Sequence, residues 1–161
     1  MKDFKFKIQG RSHSDYAGNK DDRKSITGGR VFDNDSPVAF RSTTQKTVIL
    51  SVTDAEGGAG VTCAQDILYV FHLIESRGQR VELPMVLEMD NKGAVQLANN
   101  WNVGGRTRHV DVRNHFLQEL KDLGIIEVRH VPGDENDADI FTKNITRAIF
   151  EKHLPKFVGK D

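Results

Sequence analysis

The chain has a single cysteine, Cys63, which excludes an internal disulfide and suits a reducing compartment. It also lacks any run of about 18 apolar residues, which excludes a transmembrane helix of the ordinary kind. Its opening residues, MKDFKFKIQG, alternate rather than forming the apolar core of a signal peptide. Together these absences predict a soluble, intracellular protein with no membrane partner. Charge of one sign is not in excess either: 23 Lys and Arg stand against 23 Asp and Glu. Net charge therefore names no partner. A nucleic acid would have to be met by local basic clusters, and an anionic substrate facing acidic residues would need metal ions between them. Internal repeats and low-complexity tracts are missing too. Residues 1–161 are expected to form one domain, since chains of this length bury about two-thirds of their unfolded surface. Nothing in the sequence says whether it is a whole protein or part of a longer one.

Periodicity supplies the elements. Phe4, Phe6 and Ile8 alternate with Lys5, Lys7 and Gln9, predicting a half-exposed strand that runs through GRSHSDYAG to about Gly18. A polar turn, NKDDRKS, leads to a second strand around ITGGRVFD and a third around SPVAFRSTTQKT. A long helix follows. VELPMVLEMD predicts a buried strand, NKGAVQLANN a short helix, and WNVGGRTR a loop. In HVDVRNHFLQELKDLG, Val112, Phe116, Leu120 and Leu123 predict a helix closed by Gly124. IIEVRHV is the fifth strand, and ADIFTKNITRAIFEKHL one or two helices. Three consecutive strands imply an antiparallel meander, and the later strand–helix–strand crossovers imply parallel pairing. The expected fold is α/β: a five-stranded mixed sheet with helices on both faces.

The long helix poses a question at its start, SVTDAEGGAG. At about 100° per residue, Cys63, Ile67, Val70 and Ile74 form a narrow apolar stripe, which two turns back lands on Glu56 and leaves Asp54 on the solvent side. A carboxylate aimed inward is costly unless something positive or hydrogen-bonding meets it. Gly57, Gly58 and Gly60 each weaken the helix by about 0.5–1 kcal/mol relative to Ala, but allow a backbone or bulky ligand to come close. Three other acids sit at element ends: Asp15 after the first strand, Asp90 after the fourth, and Asp139 in the helical turn after the last. Ligands gather at such strand ends and helix starts in α/β sheets. If the first and fourth strands are neighbours, the four acids converge. Convergent carboxylates repel unless cations neutralise them, and hard oxygen ligands suit Mg²⁺ or Mn²⁺. Two such ions about 4 Å apart are the usual apparatus for displacement at a phosphodiester.

SDYAGNKDDRKSITGG, QKTVILSVTDAEGGA, LEMDNKGAVQLANN, RTRHVDVRNHFLQEL and VRHVPGDENDADIFTK, in this order, resemble the ribonuclease H domain of copia-type LTR retrotransposon polyproteins. The resemblance covers nearly the whole chain. It implies a ribonuclease H type 1 fold and an endoribonuclease that hydrolyses the RNA strand of RNA–DNA hybrids by two Mg²⁺ ions, with Mn²⁺ able to substitute. It also implies a covalently linked reverse transcriptase in the parent polyprotein and a location in a cytoplasmic retrotransposon particle. Carried over by motif, the catalytic and metal-binding set is Asp15, Glu56, Asp90 and Asp139. The family's acid before the Glu is here Asp54, in agreement with the helical wheel. Its pattern usually has a larger residue after the Glu, where this chain has Gly57 and Gly58. The loop VPGDEND holds no His, whereas cellular enzymes carry one there. His130, on the strand before it, is expected to be a sheet residue.

Candidate substrate contacts are basic or capping residues. Arg106 and Arg108 flank a Gly-rich loop, and Arg23 and Lys24 lie on the turn near the acidic centre, each placed to meet phosphates. Ser51 and Thr53 can cap the long helix through their hydroxyls, and their backbone N–H groups can hold a phosphate. Asn91 can donate to a 2′-OH. Trp101 can stack on a sugar or base or simply edge the core. His109, Asp111 and His115 diverge around their helix and do not form a metal site. The alternative to a nuclease is a catalytically weak or inactive module of the same fold that binds nucleic acid.

Overall fold

The structure is a computed structural model that describes residues 4–100 and 108–158, and for residues 108–111 the backbone alone. Strands β1 (Ile8–Asp15), β2 (Ile26–Asp33) and β3 (Ser36–Thr44) are followed by helix α1 (Val52–Glu75), strand β4 (Met85–Met89), helices α2 (Lys92–Asn99) and α3 (Arg108–Asp122), strand β5 (Ile126–His130) and helix α4 (Arg147–His153). A 3₁₀ turn, Asp137–Phe141, lies between β5 and α4. The sheet order is β3-β2-β1-β4-β5. β1, β2 and β3 pair antiparallel, while β1–β4 and β4–β5 are parallel. This is the mixed sheet that the element order predicts.

Strand ends differ from the sequence reading. β1 stops at Asp15, where the Gly18 N–H donates to the Asp15 carbonyl and closes a turn. At its other end the alternating Phe4–Lys7 segment keeps a single parallel bridge, between Phe6 and Val81.

Alternation along β1 divides the sheet into two faces. Ile8, Gly10, Ser12 and Ser14 are buried against α1. A Cβ at Gly10 would lie 2.6 Å from Ile67 Cδ1 and 2.8 Å from Cys63 Sγ, so the missing side chain is what lets α1 lie this close. The same holds at Gly60, where a Cβ would come within 2.5 Å of Met89 Sδ. The main core fills this face: Cys63, Ala64 and Ile67 of α1 meet Met85, Leu87 and Met89 of β4, closed by Leu117, Leu120, Ile126 and Val128. In α3 the expected helical stripe holds only in part. Val112 and Leu123 are exposed, and Leu117 is buried with Gln118, whose amide donates to the Leu97 and Asn100 carbonyls. A satisfied glutamine is thus buried off the apolar stripe, while Leu120 of the stripe stays in the core.

The opposite face carries Arg11, His13 and Arg30 under the 3₁₀ turn. Arg30 donates from Nε to Asp137 Oδ1 at 2.8 Å and from Nη2 to Oδ2 at 3.2 Å, and stacks over Phe32. Phe32, Phe40, Phe141 and Phe157 pack edge-on or stacked around it. Helical segments therefore cover both faces. Among the described residues, no helix is long and apolar enough to cross a membrane.

Candidate metal centre

The centre lies where β1 and β4 end. Ser12 of β1 and Met89 of β4 are parallel partners, so the next residues, His13 and Asp90, stand side by side on the second face. Across the strand end, α1 begins at Ser51, whose hydroxyl accepts the Asp54 N–H at 3.1 Å. One turn in, Glu56 is only 2% exposed, and its Oε1 accepts the Ser14 N–H at 3.0 Å. Asp139 comes from the 3₁₀ turn, which is fixed in three ways. Asn136 caps it by accepting the Ala138 N–H and ties it to β1 by donating to the Ser12 carbonyl. Arg30 holds Asp137. Gly28 leaves space beneath it, since a Cβ there would sit 2.7 Å from the Ala138 carbonyl oxygen.

His13 occupies the middle. Its Nδ1 lies 3.0 Å from Asp90 Oδ2 and 3.4 Å from Glu56 Oε1, and its Nε2 lies 2.9 Å from Asp139 Oδ1. Lys143 Nζ stands 2.9 Å from the same Asp139 oxygen. Glu56 Oε2 is buried with no hydrogen-bond partner.

Electrostatics follow from this crowding. Burial pushes the Glu56 carboxyl up to about 7, with the charges of Asp90 and Asp139 adding to it and His13 and the Ser14 N–H only partly offsetting it. Burial works against a charged His13, but its hydrogen bond to Asp90 and the charges of Glu56, Asp90 and Asp139 prevail and raise it above the ordinary histidine value. Asp90 is lowered in turn: burial opposes ionisation, and the hydrogen bond and charge of His13 overcome it, helped by Asn136.

Of the four expected acids, the structure brings Glu56, Asp90 and Asp139 together and leaves Asp15 outside. The expectation for Asp15 is thereby corrected in its geometry. Asp15 shares a face with His13 but sits two residues, roughly 6.6 Å, farther along the strand, past the end of the β4 pairing. Its carboxylate turns back over Gly18, where a Cβ would meet Asp15 Oδ2 at 2.3 Å. The acidic motif SDYAG directed attention to Asp15, while the register of β1 against β4 selects His13. That register is the signal sequence reasoning missed.

Other expected residues fall variously. Ser51 and Asn91 are helix caps, Asn91 Oδ1 accepting the Ala94 N–H at 2.8 Å. Thr53 Oγ1 donates to Asn91 Oδ1 at 3.4 Å, which ties the starts of α1 and α2 together. Arg23 is exposed with a left-handed backbone, and Lys24 pairs with Asp22, both on the turn between β1 and β2. Arg106 and Trp101 lie outside the described residues, as do the side chains of Arg108, His109 and Asp111. Asp54 is half-buried at the first turn of α1, not on its solvent side. Gly57 faces open space and Gly58 faces Arg113. His130 is exposed at the end of β5, its Nε2 3.2 Å from the Asp90 carbonyl oxygen.

Comparison with known proteins agrees with this fold. No protein-family model matches the chain. LC11-RNase H1, isolated from compost by a metagenomic approach, superposes with a TM-score of 0.63 at 14% identity, covering 92% of this chain and 98% of that one. The same enzyme in complex with an RNA/DNA hybrid superposes with a TM-score of 0.63, covering 84% of this chain and 94% of that one. The fold is that of ribonuclease H. In sequence, the chain is 31% identical over 144 residues to the retrovirus-related Pol polyprotein of transposon TNT 1-94 from Nicotiana tabacum, and 31% over 145 residues to that of transposon RE1 from Arabidopsis thaliana. These alignments cover 89% and 90% of the chain, but only 11% and 10% of the polyproteins, so the chain spans about a tenth of the length of the curated relatives it matches. It is a homologue of the Pol polyproteins of plant copia-type transposons, carrying their ribonuclease H-like segment.

The residues present fit a divalent ion. His13, Glu56 and Asp90 offer ligand atoms within 4.8 Å of one another, and the orphaned Glu56 Oε2 is a buried acceptor in need of a cation. The set is one imidazole nitrogen with carboxylates, however, and not four carboxylates.

Proposed function

We propose that the chain is a ribonuclease H domain that binds RNA–DNA hybrids and hydrolyses their RNA strand with a divalent ion held by His13, Glu56 and Asp90. The convergence of Glu56, Asp90 and Asp139, from three separate elements, at the end of the central strand of a ribonuclease H fold carries this reading. The hybrid as substrate is supported by the hybrid complex of LC11-RNase H1, and a polyprotein setting by the Pol polyprotein relatives.

A bound divalent ion supplies charge neutralisation at the phosphate and activation of water. The chain's own residues do the positioning. Ser14 N–H orients Glu56, Asp90 holds His13, and Asp139 with Lys143 flanks the centre. Arg23 and Lys24, with Arg106 and Arg108, would meet the phosphate backbone. Ser51, Thr53 and Asn91, at the starts of α1 and α2, would meet the substrate through backbone N–H groups and a side-chain amide.

One observation favours a weaker enzyme. His13 removes a negative charge from the position where the family resemblance leads one to expect an acid, so a hybrid-binding module with slow hydrolysis is the second reading. Incubating a labelled RNA–DNA hybrid with the protein and Mg²⁺, Mn²⁺, Zn²⁺ or chelator separates them. Ion-dependent cleavage of the RNA strand, absent with duplex DNA, is expected. Binding without cleavage under any ion selects the module, and folded protein that neither binds nor cleaves hybrid overturns both.

A further inference from the structure

We infer that this centre holds one imidazole-accepting divalent ion, Zn²⁺ in chemical type, through His13 Nδ1, Glu56 and Asp90, in preference to a pair of Mg²⁺ ions. The inference rests on the reading of the cluster as a divalent-ion centre.

Spacing comes first. Nδ1 stands 3.0 Å from Asp90 Oδ2 and 3.4 Å from Glu56 Oε1. Atoms so separated are spaced as neighbouring ligands around an ion about 2.0–2.2 Å from each, the range of Zn²⁺ bonds to imidazole and carboxylate. Orientation comes next. The other ring nitrogen, Nε2, lies 2.9 Å from Asp139 Oδ1, so a second carboxylate stands beside the remote side of the ring. A ligating histidine is ordinarily held this way, with its remote N–H toward a carboxylate, which leaves the near nitrogen bare for the ion. His13, Glu56 and Asp90 each offer one ligand atom, and these atoms all lie within 4.8 Å of one another. Three converging acceptors repel unless a cation lies between them. Glu56 Oε2, the other oxygen of the same carboxylate, is buried and unpartnered.

Number and type of ion follow from the imidazole. A carboxylate can share its two oxygens between two ions, whereas Nδ1 has one lone pair and serves one. The position beside Asp139 where a second ion would bind is already faced by His13 Nε2 and Lys143 Nζ, both donors. Imidazole suits Zn²⁺, and Mg²⁺ prefers oxygen ligands. Cys63 does not compete, being buried on the inner face of α1 with its thiol pushed up to about 12 by that burial.

Untagged protein titrated calorimetrically with Zn²⁺ and with Mg²⁺, and spectroscopically with Co²⁺, tests this without reference to turnover. One Zn²⁺ per chain is expected, with Mg²⁺ weaker by at least tenfold, and Co²⁺ should develop the visible bands of a nitrogen-containing site. His13→Asp should weaken Zn²⁺ at least tenfold, erase those bands and strengthen Mg²⁺, and His13→Asn should weaken Zn²⁺ without strengthening Mg²⁺. Thermal unfolding establishes that both variants fold, and if one does not, the other decides. Mg²⁺ saturating two sites in the wild type, Zn²⁺ affinity indifferent to His13, or no ion bound by folded wild type would each overturn the inference. A hybrid-binding assay in chelator, run beside it, is independent. Failure there alone removes the hybrid-directed function and leaves the ion site standing.

Discussion

His13 and Asp90 are neighbours because Ser12 and Met89, one residue earlier in each strand, are parallel partners, and this places His13 Nδ1 3.0 Å from Asp90 Oδ2. Restoring an acid at that place should therefore restore oxygen-only chemistry. His13→Asp is expected to raise Mg²⁺-dependent cleavage of a labelled hybrid by about tenfold or more, the scale of a transition-state ligand gained. Unchanged or lower Mg²⁺-dependent cleavage in a folded variant would count against the placement of the centre.

Glu56 is buried at a cost. Its carboxyl is raised to about 7, so in chelator the folded protein binds its proton more tightly than the unfolded chain does. Stability from the neutral carboxyl is present at low pH and declines as pH climbs from the ordinary glutamate value to about 7. Glu56→Gln should remove that decline and stabilise the metal-free protein above about pH 7 by on the order of 1–3 kcal/mol. The same variant should lose stabilisation by added divalent ion. Melting temperatures with chelator and with ion, across a pH series, check both signs.

Asp137 behaves in the opposite way. Burial favours its neutral form, but the Arg30 hydrogen bonds and the charges of Arg30, Arg11 and Lys156 lower it below the usual carboxylate range. Its contribution is present above the unfolded value, near pH 4, and is lost as pH falls through the lower folded value. Asp137→Asn should flatten the acid limb of the stability curve. Arg30→Ala removes the nearest partner of a buried carboxylate, leaving Arg11 and Lys156 at 3.4 Å, and should cost about 3 kcal/mol in urea unfolding at neutral pH.

Gly28 sets how closely the 3₁₀ turn meets the sheet. A methyl group there would meet the Ala138 carbonyl oxygen at 2.7 Å and Thr142 Cγ2 at 2.5 Å. Gly28→Ala should cost about 1–3 kcal/mol and move Asp139 away from His13. A larger loss of ion affinity than of stability, measured by titration and urea unfolding, would be the mark of that displacement.

Most of the fold was legible from the sequence because its elements have strong periods. β2, β5 and α2 match their segments within a residue or two, and the inward turn of Glu56 followed from the stripe through Cys63 and Ile67. In α3 the expected stripe held at Phe116 and Leu120 and failed at Val112 and Leu123, while Gln118 is buried by hydrogen bonds that no hydropathy pattern encodes. The convergence of acids was legible where an acid lies on an element with a clear face or end: Glu56, Asp90 and Asp139. It failed on β1, where His13 and Asp15 share one face and only the pairing with β4 decides between them. Pairing register is a tertiary property, and a local motif rich in acids pointed to the wrong one of the two.

The account stands most directly on where an ion sits. Crystals grown with Zn²⁺ or Mn²⁺ and measured at the metal absorption edge should show one anomalous peak per chain, bounded by His13 Nδ1, Glu56 and Asp90. A peak elsewhere, two peaks flanking Asp90, or none at saturating ion would contradict it.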